Sequence, residues 1–288
     1  MSNLLQSIQD KLRNVAKASG KDFQLILTRY FQERLLFRLS QTRHREHFCL
    51  KGGVLLYALE REASRPTLDL DLLSMKMRLD KTLFAQIFKE ICGVQYPADG
   101  MEVDLDKITA TEIMEQRRYA GLRIKVPVSL GTVRQVLSID VGFGDVAIPH
   151  PDWMSFPTLL DMEPPEIRAY SPETVIAEKF EAMIDLAESN SRMKDFFDVW
   201  QLLSQKRFDA GVLQTAIFQT FSNRRTILRS NHPVFSAAFV EDANRNKLWE
   251  GFLERSKLNN SPTFQEALTA IREHLQPVYE AMLKPPYI

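Results

Sequence analysis

Asp69 and Asp71 stand two residues apart in Arg65-Pro-Thr-Leu-Asp-Leu-Asp-Leu72, a run that alternates polar and apolar residues. Side chains alternate across a strand, so a strand over 68–73 sends both carboxylates to one face and Leu68, Leu70 and Leu72 to the other. Two carboxylates about 7 Å apart along a strand can share divalent cations. Upstream, Lys51-Gly-Gly-Val-Leu-Leu-Tyr57 reads as a glycine turn opening a helix over 53–62. Glycine lets backbone N–H groups come close to phosphate oxygens, and a helix N-terminus favours those anions. These are the parts that a phosphoryl- or nucleotidyl-transfer site needs.

Three further residues could join them. Asp140 lies in Leu137-Ser-Ile-Asp-Val-Gly-Phe-Gly-Asp145, where alternation sets Ser138 and Asp140 opposite Leu137, Ile139 and Val141. Alone, such an acid reads as a solvated position. Beside an Asp-x-Asp strand it could complete a two-metal site. Asp145 is the other candidate, although past the glycines it also reads as a turn residue. A helix starts at Ser171-Pro172, with Ser171 as N-cap. Its wheel sets Glu178, Glu181, Asp185 and Glu188 on an acidic, solvent-facing stripe, and Ile176, Phe180, Met183 and Ala187 opposite. Lys179 falls inside the apolar arc, either as a snorkelling stem or as a cation placed to meet phosphates. In Arg192-Met-Lys-Asp-Phe-Phe-Asp-Val-Trp-Gln-Leu-Leu203 the polar stripe is Lys194, Asp198, Gln201 and Gln205. Asp195 projects beside Val199 and Leu202 instead. An unpaired buried carboxylate is costly, so Asp195 needs a partner, Lys179 or Arg192, whereas Asp198 reads as solvated.

The elements that must position these residues are of two kinds. Helical spacing covers 1–19, 21–39 and Lys81–Cys92. Extended runs cover Ile108–Ile113, Ala120–Val128 and Gln135–Val141, and prolines punctuate a loop over 146–170. From Ser171 the pattern is helical, with Phe218, Phe221, Ile227, Leu228, Phe235 and Phe239 as expected core. Trp249, Phe252 and Leu253 either pack similarly or offer a surface to a partner. The predicted class is α+β, with a boundary near 165–172.

Composition narrows the function classes. With 37 basic and 37 acidic residues the net charge is zero, which argues against a chromatin-type or polybasic membrane binder. Arg43-His-Arg-Glu-His47 and Asn223-Arg-Arg-Thr-Ile-Leu-Arg229 are local basic patches that could meet a nucleic acid or be plain surface. Cys49 and Cys92 lie in apolar surroundings and read as reduced core residues. No signal-peptide pattern and no membrane-length apolar run is apparent, so a cytoplasmic location is expected.

Taken in order, Lys-Gly-Gly, Arg-x-Thr-x-Asp-x-Asp, Ile-Asp-Val-Gly-Phe-Gly-Asp, Glu-Lys-x-x-Ala and Arg-x-Lys-Asp-x-x-Asp span roughly residues 45–205. This set resembles the AbiEii/AbiGii toxin family, a branch of the polymerase-β-like nucleotidyltransferases that includes the MenT toxins. The resemblance implies a nucleotidyltransferase-fold mixed sheet with flanking helices over 1–168. It implies a helical domain over 169–288 that contributes Lys179 and Asp195 to the site. It also implies Mg²⁺-dependent transfer of NMP from an NTP, with two ions, the 3′ end of tRNA as acceptor and an antitoxin as partner.

Residue by residue, Asp69 and Asp71 match the metal-binding carboxylates, and Asp140 a third ligand. Lys51, Gly52, Gly53 and Thr67 fall to the nucleotide, together with Lys179, the family's essential lysine. Asp195 matches the acid of the later motif, with Asp198 as the alternative. Val54 departs from the Thr or Ser common after the two glycines, which removes a hydroxyl contact and leaves a backbone cradle intact. Two other readings keep the scaffold: transfer to a protein or small-molecule acceptor, and a catalytically silent module that binds RNA or protein.

Overall fold

The structure, a computed structural model, describes residues 2–115, 119–205, 208–258 and 261–284. The chain divides into two compact units. The first holds the chain up to Gly144 together with Asp152–Ala169, and the second holds Asp145–Pro151 and the chain from Tyr170.

In the first unit the elements are α1 (Ser2–Ser19), α2 (Phe23–Ser40), β1 (Phe48–Lys51), α3 (Gly52–Glu60), β2 (Asp69–Ser74), α4 (Lys81–Cys92), β3 (Met101–Val103), β4 (Thr109–Glu115), β5 (Tyr119–Leu130), β6 (Val133–Phe143), β7 (Asp152–Ser155) and β8 (Glu166–Ala169). The strands form one mixed sheet in the order β3-β5-β6-β2-β1-β8-β7, with β4 also paired to β5. β2 runs parallel to β6 and β1 parallel to β8, while β1–β2 and β5–β6 are antiparallel. The β5–β6 hairpin turns through Gly131 at φ +63°, the left-handed conformation that a two-residue hairpin turn requires. Alternation buries Leu122, Ile124 and Val126 of β5, Leu137, Ile139 and Val141 of β6, and Leu70 and Leu72 of β2. Both α2 and α4 pack against this sheet, and α3 packs on β1 and β2.

Helix α2 is buried from Leu25 to Ser40, charged residues included. Buried charge must be paired. Arg38 forks onto Asp99 at 2.6 and 3.2 Å and donates to the Met101 carbonyl, while the Tyr30 hydroxyl donates to the Asp99 carbonyl. Glu33 lies beside Arg34 at 2.8 Å and accepts the Leu159 N–H. Gln32 donates to the Leu68 carbonyl at 2.8 Å, which ties α2 to the lead-in of β2.

Several expectations need correction. Leu68 precedes the strand and is 62% exposed, so it does not share the apolar face of Leu70 and Leu72. The stretch 146–170 is not all loop, because β7 and β8 extend the sheet beyond β1. The patch at 43–47 is largely neutralised: Arg43 and His44 meet Glu90, Glu46 pairs with Arg168, and Arg45 stacks on Trp153. Cys49 and Cys92 are buried and form no disulfide.

The second unit comprises α5 (Pro172–Leu186), α6 (Met193–Gln205), α7 (Ala210–Arg224), α8 (Ala237–Glu241), α9 (Ala243–Ser256) and α10 (Phe264–Met282). Phe180, Phe196, Phe221, Phe239, Trp249, Phe264 and Tyr279 are buried in its core. Ile227, expected there, is 66% exposed, and Phe218, Leu228, Phe235, Phe252 and Leu253 are only partly covered. The acidic stripe of α5 is not wholly solvated either. Glu181 is 1% exposed and pairs with Arg224, which also holds Asp145, each at 2.8 Å. Asp145 is therefore an anchor for its own unit, helped by Thr174, whose hydroxyl donates to the Ile148 carbonyl and accepts its N–H. Among the described residues no helix is long and apolar enough to cross a membrane.

Glu33 makes stability depend on pH. Burial, opposed by Arg34 and the Leu159 N–H, pushes its carboxyl up to about 7 from 4.5. The folded state then binds more protons than the unfolded state between these values, so stability falls as pH rises from 4.5 to 7. Unfolding free energies from urea denaturation across this window are expected to drop by about 2–3 kcal/mol more in the wild type than in Glu33→Gln. Parallel profiles would contradict the assignment.

Candidate active site

The site begins where β1 gives way to α3. Gly52 has φ +67°, and a Cβ there would lie 2.0 Å from Asp71 Oδ2. Only glycine fits. A Cβ on Gly53 would lie 2.7 Å from Thr67 Oγ1, so the second glycine makes room for that threonine. Lys51 occupies the N-cap position of α3 without capping it through its side chain, and a helix start favours an anion.

Strand register does the rest. Lys51 lies opposite Asp71, Asp71 opposite Asp140, and Asp140 opposite Arg123. Directly opposed residues share a sheet face, so one transverse row reads cation, carboxylate, carboxylate, cation. In the next row on that face Asp69 stands beside Ser138, and Ser138 beside Lys125. Asp69 is exposed and Asp71 half-buried, as an open carboxylate pair requires.

Asp140 is 9% exposed and both its oxygens are taken by Arg123, Nε to Oδ1 at 2.8 Å and Nη2 to Oδ2 at 2.7 Å. The Asp140 hydrogen bond outweighs burial and, with Asp69 and Asp71 adding, raises the guanidinium above its ordinary pKa. Sequence reasoning missed Arg123. Its signal was the alternation Leu122-Arg-Ile-Lys-Val126, which sets two cations opposite three apolar residues.

Among the described residues, no group of three or more His, Cys, Asp or Glu side chains is placed to hold an ion. Asp69 and Asp71 nonetheless suit Mg²⁺, which commonly binds through one or two carboxylates and completes its shell with substrate phosphates and water. Asp140 could add an oxygen only in competition with the Arg123 guanidinium for its charge.

The first unit thus brings together Lys51, Gly52, Gly53, Thr67, Asp69, Asp71 and Asp140. The second brings together Lys179 and Asp195, at 2.6 Å, but adds Asp198 at 2.8 Å from the same ammonium. The reading of Asp198 as solvated fails, because it is 1% exposed; Gln201 of the same stripe is buried too. One turn apart on α6, both acids face the lysine from α5. Burial penalises the Asp195 carboxylate, yet Lys179, Lys194 and Arg192 outweigh it and hold its pKa below the usual range.

Comparison with known proteins gives the family. The model described as nucleotidyl transferase AbiEii toxin, Type IV TA system, matches residues 34–270. The chain belongs to the AbiEii family. Two solved structures are similar to this AbiEii protein. One, described as a candidate nucleotidyltransferase from H. pylori, is 15% identical with a TM-score of 0.47, covering 89% of this chain and 96% of that one. The other, JHP933 from Helicobacter pylori, is 16% identical with a TM-score of 0.45, covering 87% and 90%. No curated protein matches the sequence.

The geometry separates two substitutions. Lys179→Met strands two buried carboxylates and is expected to destabilise the helical unit by about 3–5 kcal/mol. Asp69→Asn, at an exposed position, is expected to change stability by under about 1 kcal/mol. Urea denaturation of both checks this, and equal small effects would contradict the shared-ammonium account.

Proposed function

We propose that this AbiEii-family protein transfers an NMP group from an NTP to the 3′ end of tRNA in the cytoplasm, with a cognate antitoxin as its restraining partner. The observation that carries the reading is the packing of Asp71 and Thr67 against the two glycines that open α3. It sets a carboxylate pair beside the start of α3.

Asp69 and Asp71 are the residues that would hold Mg²⁺. When bound, two such ions activate an attacking oxygen and offset charge on the leaving group. The backbone N–H groups of Gly52 and Gly53 receive the triphosphate, with Lys51 and Thr67 beside them. Val54 offers no hydroxyl, so contact there rests on the backbone. Lys179, steadied by Asp195 and Asp198, is assigned the cation that offsets pyrophosphate charge. The acceptor hydroxyl attacks the α-phosphorus in line. A new O–P bond forms as the hydroxyl proton passes to solvent, the α–β bridging P–O bond breaks, and pyrophosphate leaves.

The test is incubation with total tRNA, Mg²⁺ and each α-labelled NTP in turn. Label on tRNA from the wild type and none from Asp69→Ala is expected. Full transfer by Asp69→Ala would refute the carboxylate assignment. Zero net charge favours one second reading, a protein or small-molecule acceptor, and label confined to such an acceptor would replace tRNA with it.

A further inference from the structure

Arg123 has no place in the family pattern traced above, yet it engages the site more fully than any other cation described there. Its register makes the contact unavoidable. Arg123 and Asp140 are directly opposed on antiparallel strands, and Asp71 is directly opposed to Asp140 on its other side. Asp140 therefore sits between a carboxylate and a guanidinium. Like charges on neighbouring strands repel, and the Arg123 fork offsets that repulsion with two charge-assisted bonds at 2.8 and 2.7 Å. The two partners differ in freedom. The Arg123 side chain is 40% exposed and that of Asp140 12%, so the arginine has solvent to move into while the carboxylate stays.

We propose that Arg123 is a positioning residue that competes with divalent metal for Asp140. It occupies the third carboxylate while the Asp69–Asp71 pair is without metal, and yields it as metal and nucleotide enter. This inference rests on the reading of Asp69 and Asp71 as the metal-binding pair. Its consequence is linkage. A carboxylate whose charge is offset by the Arg123 guanidinium attracts a cation less strongly, so metal alone binds weakly. An incoming triphosphate gives the guanidinium another anion and frees Asp140, so nucleotide and metal strengthen each other's binding.

The experiment is a Mn²⁺ titration, followed through the EPR signal of free Mn²⁺, with and without NTP. Arg123→Met is expected to bind Mn²⁺ about tenfold more tightly than the wild type in the absence of NTP. That gain should vanish in Arg123→Met/Asp140→Asn, and NTP should narrow the gap between wild type and Arg123→Met. Arg123→Lys, which keeps the charge and loses the fork, should fall between them and carries the test should the methionine variant fold poorly. Unchanged or weaker Mn²⁺ binding in both Arg123 variants would overturn the proposal. So would a gain that persists without Asp140, since the effect would then be one of general field. Asp69→Asn serves as the control, and Mn²⁺ affinity untouched by it would overturn the metal-pair reading together with this inference.

Discussion

Two carboxylates on adjacent parallel strands impose the constraint from which the first unit's site follows. Asp71 and Asp140 are register neighbours on β2 and β6, and like charges side by side repel. The sheet answers by ending the row in cations, Lys51 beside Asp71 and Arg123 beside Asp140. Gly52 belongs to the same arrangement, because Asp71 Oδ2 fills the space a Cβ would need. The glycine pair thus serves the carboxylates as well as any phosphate. Its conformation and the acid's position are one packing decision.

The helical unit solves the same problem with less solvent. Lys179 serves two buried acids at once, and Arg224 gathers Asp145, Glu178 and Glu181. Such clusters stand only while every member is present, since removing one partner leaves uncompensated buried charge. An ammonium shared between Asp195 and Asp198 is fixed in place, which would suit the phosphate-facing role proposed for it. The same fixity ties Lys179 to the stability of α5 and α6.

Much of this was legible in the residues, and the failures have physical reasons. The Asp69–Asp71 alternation, the helix over Lys81–Cys92 and the Ser171-Pro172 start are local signals, and local geometry obeys them. β1, β7 and β8 are four-residue strands, too short for a period to emerge. Leu68 was misplaced because alternation cannot say where a strand begins. Asp198 and Glu181 were misjudged because a helical wheel treats the helix alone; Lys179 and Arg224 reach them from other helices. Arg123 went unseen because its meaning depends on register with β6, which no single strand reveals. The AbiEii pattern itself was visible in the ordered motifs, and the family match extends it to residues 34–270.

The central claim is that Asp69 and Asp71 hold the metal for a nucleotide seated at Gly52 and Gly53. A crystal structure with Mn²⁺ and an NTP whose α–β bridge cannot be cleaved tests it most directly. The account predicts an anomalous peak bonded to the Asp69 and Asp71 carboxylates, with the triphosphate against the first turn of α3. A metal or triphosphate bound elsewhere, with that carboxylate pair left in water, would contradict it.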